Sequence, residues 1–197
     1  MEKNPLRNID RFKVVLASAS PRRRELLSML GVSFEVKPLG DVDESFPDDL
    51  PPRDVALYIS RNKSMAAKSL ISGNELVITA DTVVIVNGKV LGKPSGPEEA
   101  RQMLAELSGK SHTVVTGISV CTADRQETAA AFTDVTFAPL SDDEIDFYVE
   151  RYRPFDKAGA YGIQEWIGCI GVRSIEGSFY NVMGLPLHLL YTLLRRF

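Results

Sequence analysis

The stretch ELVITADTVVIVNGKVLGKP, residues 75–94, carries the strongest β signal in the chain. An apolar run from Leu76 leads into Ala80-Asp81, a second run covers residues 83–86, and Val90-Leu91 follow Asn87-Gly88. Asn-Gly between apolar runs marks a two-residue type I′ hairpin, because both central residues must take positive φ. The pattern predicts an apolar strand that ends at an Ala-Asp interruption, followed by a tight hairpin.

Upstream, residues 13–17 form an apolar strand-like run, and LASASPRRRELL (16–27) turns it into a helix over about 21–30. Ser20 is a good N-cap and Pro21 a good first helical residue. GVSFEVKPL (31–39) reads as a second strand, 41–54 as an acidic, proline-rich loop, and 53–71 as a helix whose buried side takes Val55, Ile59, Ala66 and Leu70. Downstream, GPEEARQMLAELSG has the grammar of a complete helix, with Pro97 at its start, acids in its first turn and Gly109 at its end. HTVVTGISVCT and AAAFTDVTFAPL predict a hairpin of long strands, and Ser141 with Glu144 predicts a capping box for a helix over 142–152. PFDKAGAYGIQ is a glycine-rich loop, and IGVRSIEGSFYNVMG reads as a hairpin closing on Glu176-Gly177. The last helix puts Leu187, Leu190 and Leu194 on one side, with Arg195 and Arg196 at the end where cations are favoured. Strands and helices alternate early and hairpins dominate later, which predicts an α/β fold with a mixed sheet, and no linker separates independent domains.

The 197 residues are 44% hydrophobic and 25% charged, enough for a full core. A net charge of −3 argues against a general nucleic-acid binder, so any polyanion must be met locally. Cys121 and Cys169 are the only cysteines and lack neighbouring His ligands, so neither a zinc site nor a disulfide framework is indicated. The first twelve residues lack the apolar core of a signal peptide, and no apolar run reaches the roughly 18 residues of a membrane span. A cytoplasmic protein is expected.

The arginines after Ser20 are misplaced by helix electrostatics, because the free N–H groups and the macrodipole already make that end positive. Arg22 and Arg23 make sense there if a multivalent anion such as a phosphate sits among them, whereas Arg24 reads as a solvated charge. Asp81 stands where an apolar strand meets its loop, the place where α/β sheets gather ligands, and a carboxylate so near a core needs a cation or hydrogen-bond donors. Glu44, or its neighbours Asp41 and Asp43, can supply a second carboxylate, and two carboxylates plus phosphate oxygens are how Mg²⁺ is usually held. Lys63 and Lys93 flank apolar patches and matter if the fold brings them near Arg22 and Arg23. GKPSG (92–96) is no Walker A loop. No G-x-S-x-G elbow or G-x-G-x-x-G turn occurs, and His112 and His188 lack triad partners at a recognisable spacing, His188 being expected to pack at a core edge.

LASASPRRRELL, DVDES, ITADTVVIVNGKVLGKP, LSGKSHTVVTG, TDVTF and DKAGAYGIQ follow one another as in Maf proteins, and the chain resembles that family from about residue 13 to the last helix. Maf proteins are nucleoside triphosphate pyrophosphatases distantly related to the inosine triphosphatase fold. Gln164, ending DKAGAYGIQ, is similar to the branch acting on dTTP and UTP. The resemblance implies an elongated single domain over 1–197 with a cleft between two lobes, a homodimer, and dependence on Mg²⁺ or Mn²⁺. It implies Asp81 as general base, Asp81 and Glu44 near the metal, Arg23, Thr82 and Gln164 in substrate discrimination, and Ser18, Arg22, Lys63 and Lys93 along the triphosphate. The amide of Gln164 offers a donor and an acceptor that match O4 and N3–H of thymine or uracil and meet cytosine with the wrong polarity. Arg24 and the dozen residues ahead of the first strand depart from the family pattern. The family is also associated with division and septum formation, so a nucleotide- or nucleic-acid-binding regulator without turnover is the competing expectation. It would need the cations but not the base at Asp81.

Overall fold

The computed structural model describes residues 5–197; the first four residues of the N-terminal extension lie outside it. Seven strands form one mixed sheet: β1 (Lys13–Leu16), β2 (Glu35–Val36), β3 (Glu75–Val86), β4 (Lys89–Leu91), β5 (Ser111–Cys121), β6 (Gln126–Phe137) and β7 (Val172–Glu176). Their order is β2-β1-β3-β5-β6-β7, with β4 paired to β3. The helices are α1 (Pro21–Ser28), α2 (Val55–Ala66), α3 (Pro97–Leu107), α4 (Asp142–Tyr152), α5 (Trp166–Gly171), α6 (Phe179–Val182) and α7 (Leu187–Leu194). The mixed α/β architecture is therefore the one the alternation of elements predicts.

The chain divides into two compact units. The first comprises, among the described residues, 5–81, 116–131 and 184–197. Here β1 runs parallel to both β2 and β3, with Val15 opposite Glu35 and Leu16 opposite Ile78. Val15, Ala17, Val77, Cys121 and Ala67 form an apolar cluster with Leu39, Leu70 and Ile71 against it. The second strand is shorter than GVSFEVKPL suggests, only Glu35 and Val36 being paired. The helix over 53–71 is an α-helix flanked by short 3₁₀ turns, and its buried residues are Val55, Ala56, Ile59, Ser60 and Ser64, with Ala66 exposed. An apolar stripe misses this face because two serines lie in its centre. The Ser60 hydroxyl donates to Leu57 O at 2.9 Å and lies 3.3 Å from the Ser119 hydroxyl, and Ser60 O accepts from Thr79 Oγ1 at 2.9 Å. Small residues let α2 close onto the sheet: a Cβ on Gly117 would stand 2.3 Å from Ala56 O. On α7, Leu187, Leu190 and Leu194 are buried as the spacing predicts, but His188 is exposed, one residue outside that stripe, rather than at a core edge.

The second unit comprises residues 82–115 and 132–183. Asn87 (φ 50°) and Gly88 (φ 76°) make the predicted turn, pairing Val86 with Lys89 and Val84 with Leu91. The Ala-Asp interruption is absent. Thr79, Ala80 and Asp81 continue β3 without a break, because the Asp81 carboxylate finds a cation where it stands. The capping box of α4 forms as predicted, Ser141 accepting from Glu144 N while Glu144 accepts from Ser141 N. The expected hairpin at Glu176-Gly177 is replaced by α5, an antiparallel pairing of β7 with β6, and α6. Ser178 caps Asn181 N at 3.3 Å, so the segment after Gly177 becomes a helix rather than a returning strand. Val84, Leu104, Phe137, Tyr148, Ile163 and their neighbours form the core of this unit.

His112 lies in that core, 3% exposed, its Nε2 2.7 Å from the Tyr161 hydroxyl and its ring edge-on to Phe137 and Tyr161. Burial lowers its pKa from 6.5 to about 4, with Asp134 opposing. The folded state thus keeps the imidazole neutral while the unfolded chain protonates it, so this stability is present above pH 6.5 and is lost as pH falls toward 4. Between pH 8 and pH 4 the loss is about 3 kcal/mol. Urea unfolding at the two pH values should show His112→Gln losing less stability on acidification than the unsubstituted protein by about that amount. Equal losses would contradict the neutral buried ring.

Candidate functional site

The first unit assembles six of the predicted residues. Ser20 caps α1 by accepting from Arg23 N at 3.4 Å, with Pro21 in the first turn. That cap fixes which way the arginines leave the helix. Arg22 and Arg23 are partly buried, and Arg24 is exposed, as expected of a solvated charge. Arg23 Nε donates to Gly184 O at 2.8 Å and its Nη1 to Ser18 Oγ at 3.4 Å; Ser18 Oγ also accepts from Ser20 N at 3.3 Å. Desolvation pulls the Arg23 guanidinium below its usual pKa; Asp81 opposes this, Arg22 adds to it, and Glu44 opposes it.

Lys63 comes from α2 and Asp81 from β3. Lys63 Nζ donates to Asp81 Oδ1 at 2.6 Å and lies 2.7 Å from Glu44 Oε1. The close packing at Gly117 and Ser60 carries the α2 backbone near enough to β3 for this reach. Asp81 is 7% exposed, and burial raises its carboxyl above the usual range although Lys63 and Arg23 pull the other way. A carboxylate that is desolvated, paired and raised is the pattern of a proton acceptor.

The acidic loop is resolved by partner choice. Asp43 accepts from Ser45 N at 2.8 Å and Ser45 Oγ at 2.9 Å, which lowers its carboxyl, so it serves the loop's own turn. Glu44 faces Lys63 instead. Glu44 and Asp81 thus converge on one cation. That cation is the Lys63 ammonium, and the same two hard oxygen donors are of the kind that would hold a divalent metal ion. Among the described residues no group of three or more His, Cys, Asp or Glu is placed to hold a metal ion.

In the second unit, Thr82 is partly buried on β3, Lys93 is exposed just after β4, and Gln164 is exposed on the turn after the glycine-rich loop. The residues that sequence reading missed are supporting ones: the Gly184 carbonyl that holds Arg23, and Ser60 and Gly117, which place Lys63. A serine pair on the sheet-facing side of a helix was the available signal for the latter.

A family model described as Maf-like protein matches residues 13–197. The chain belongs to the Maf family. Within the Maf family it is 56% identical over 191 residues to a protein of Bacteroides fragilis named dTTP/UTP pyrophosphatase, covering 97% of this chain and 99% of the relative. A Porphyromonas gingivalis protein of the same name is 56% identical over 196 residues, covering 98% of each. The solved Ham1 protein of Staphylococcus aureus shares the fold at TM-score 0.54 and 21% identity, over 93% of this chain and 98% of that one. A HAM1 protein from Coxiella burnetii does so at TM-score 0.52 and 15% identity, over 94% and 100%. Among the described residues no helix is long and apolar enough to cross a membrane.

Proposed function

We propose that this Maf protein is a nucleoside triphosphate pyrophosphatase acting on dTTP and UTP, releasing the nucleoside monophosphate and pyrophosphate. The observation that carries the reading is the buried Asp81 carboxylate held by Lys63 beside Glu44, in the charge neighbourhood of Arg23. Relatives more than half identical across nearly the whole chain are named for these substrates.

In this reading Asp81 takes the proton of the water that attacks the α-phosphorus. Arg22, Arg23 and Lys63 stabilise the charge on the departing pyrophosphate, the α1 N-terminus and Ser18 orient phosphate oxygens, and no covalent nucleophile is required. Asp81 and Glu44 are the residues that would hold a divalent cation, which when bound neutralises phosphate-oxygen charge. From the second unit, the family motif assigns Lys93 to the triphosphate, Thr82 to substrate discrimination and Gln164 to the base. The same resemblance assigns a homodimer. A nucleotide-binding regulator without turnover would gain nothing from a buried, raised carboxylate at Asp81, so turnover is the better reading.

Incubation with a nucleotide panel and Mg²⁺ or Mn²⁺ tests it. Pyrophosphate and monophosphate should appear from dTTP and UTP and only weakly from purine triphosphates. No pyrophosphate from any pyrimidine triphosphate would overturn the proposal.

A further inference from the structure

The turn that carries Gln164 is tied from below. Glu165 N–H donates to Gly162 O at 2.9 Å, which closes residues 162–165 as a β-turn with Ile163 and Gln164 at its central positions. Ile163 is buried in the core of its unit, and Gln164 points to solvent. Both ends of the turn meet one side chain of α4. Gly162 N–H donates to the Tyr148 hydroxyl oxygen at 3.0 Å, and that hydroxyl donates to the Glu165 carboxylate. The other Glu165 oxygen lies 3.1 Å from Lys157 Nζ, which also holds Asp156 at 2.7 Å. Lys157 is 7% exposed and Tyr148 fully buried. Burial and the adjacent Glu165 carboxylate raise the Tyr148 phenol, so it stays protonated and remains a donor.

We propose that Tyr148 is a specificity-positioning residue, whose hydroxyl joins Gly162 to Glu165 and thereby sets the direction in which Gln164 offers its amide to a pyrimidine base. The inference rests on the assignment of Gln164 to the base. An amide distinguishes uracil from cytosine by the polarity of its donor and acceptor, and that distinction is lost if the turn can swivel by one hydrogen-bond direction. Ordering a loose turn on binding costs conformational entropy, so a turn held before the base arrives selects more sharply. Packing alone does not require the hydroxyl. The ring of Tyr148 stacks on Tyr152 at 5.1 Å and 25°, contacts a phenylalanine would keep, whereas the hydrogen bonds to Gly162 and Glu165 need the oxygen.

The test is steady-state kinetics with UTP and CTP on Tyr148→Phe, Glu165→Gln, Glu165→Ala and Gln164→Ala, beside melting curves. Tyr148→Phe should lower the ratio of kcat/KM for UTP over CTP about tenfold, through a raised KM for UTP with kcat within about twofold. Glu165→Gln, whose amide oxygen still accepts from the hydroxyl, should keep the ratio within about threefold. Glu165→Ala should lose it as Tyr148→Phe does, and it supplies the same reading if the phenylalanine variant folds poorly. A merely structural role would lower the melting temperature and leave the ratio alone. Tyr148→Phe or Glu165→Ala with an unchanged ratio, while Gln164→Ala loses it, would overturn the positioning role and leave the base assignment standing. An unchanged ratio in Gln164→Ala would overturn the base assignment itself.

Discussion

Asp81→Asn should slow dTTP and UTP hydrolysis by about a thousandfold, the scale of a lost general base, while nucleotide binding persists. The substitution is nearly isosteric, and the amide oxygen of the replacement side chain can still accept from Lys63 Nζ, so α2 and β3 keep their separation. What disappears is the basicity that the site builds by burying a carboxylate and then leaving it only partly compensated. The cations of α1 are untouched, and phosphate affinity comes from them. Pre-steady-state turnover and calorimetric titration with a non-hydrolysable triphosphate separate the two properties. A variant with near-normal turnover would mean that another group takes the proton, and one that no longer binds would mean that Asp81 serves affinity rather than catalysis.

Much of this site is legible along the chain because its signals are local. Ser20-Pro21 sets the α1 cap, and the arginines behind it stand out because cations are disfavoured at a helix start. Asn87-Gly88 sets the hairpin after β3, and both positive φ values follow from residue type. At Asp81 and on α2 the deciding partner was on another element, whereas in the acidic loop and after Gly177 it was a short-range side-chain cap. Asp81 looks like a strand terminator in isolation and stays in the strand because Lys63, eighteen residues upstream, neutralises it. Asp43 and Glu44 are equivalent by composition, and only Ser45 on one side and Lys63 on the other divide their roles. The α2 face was misjudged because hydroxyls of Ser60 and Ser119 replace the apolar contacts that a periodicity search counts. Gly177 followed by Ser178 resembles a hairpin turn, yet the Ser178 cap on Asn181 turns the chain into a helix.

Lys63→Met should cost about 3–5 kcal/mol of stability, the penalty for leaving a buried charge unpaired rather than the worth of the pair. The side chains of Lys63 and Asp81 are 13% and 9% exposed, so the pair is largely dry, whereas Glu44 at 46% can turn to water. Removing the ammonium therefore strands Asp81 far more than Glu44. The methionine keeps most of the lysine's length and apolar stem, which separates loss of charge from loss of packing. Adding Asp81→Asn in the Lys63→Met background should recover most of the loss, because the group that had lost its counter-charge is then neutral. Urea unfolding of the two single variants and the double variant closes the cycle. A double variant as unstable as the sum of the single effects would mean that Lys63 and Asp81 act independently. Recovery would place the energetic cost of this site on the one carboxylate that its chemistry needs: a buried base tolerated only while a lysine stands against it.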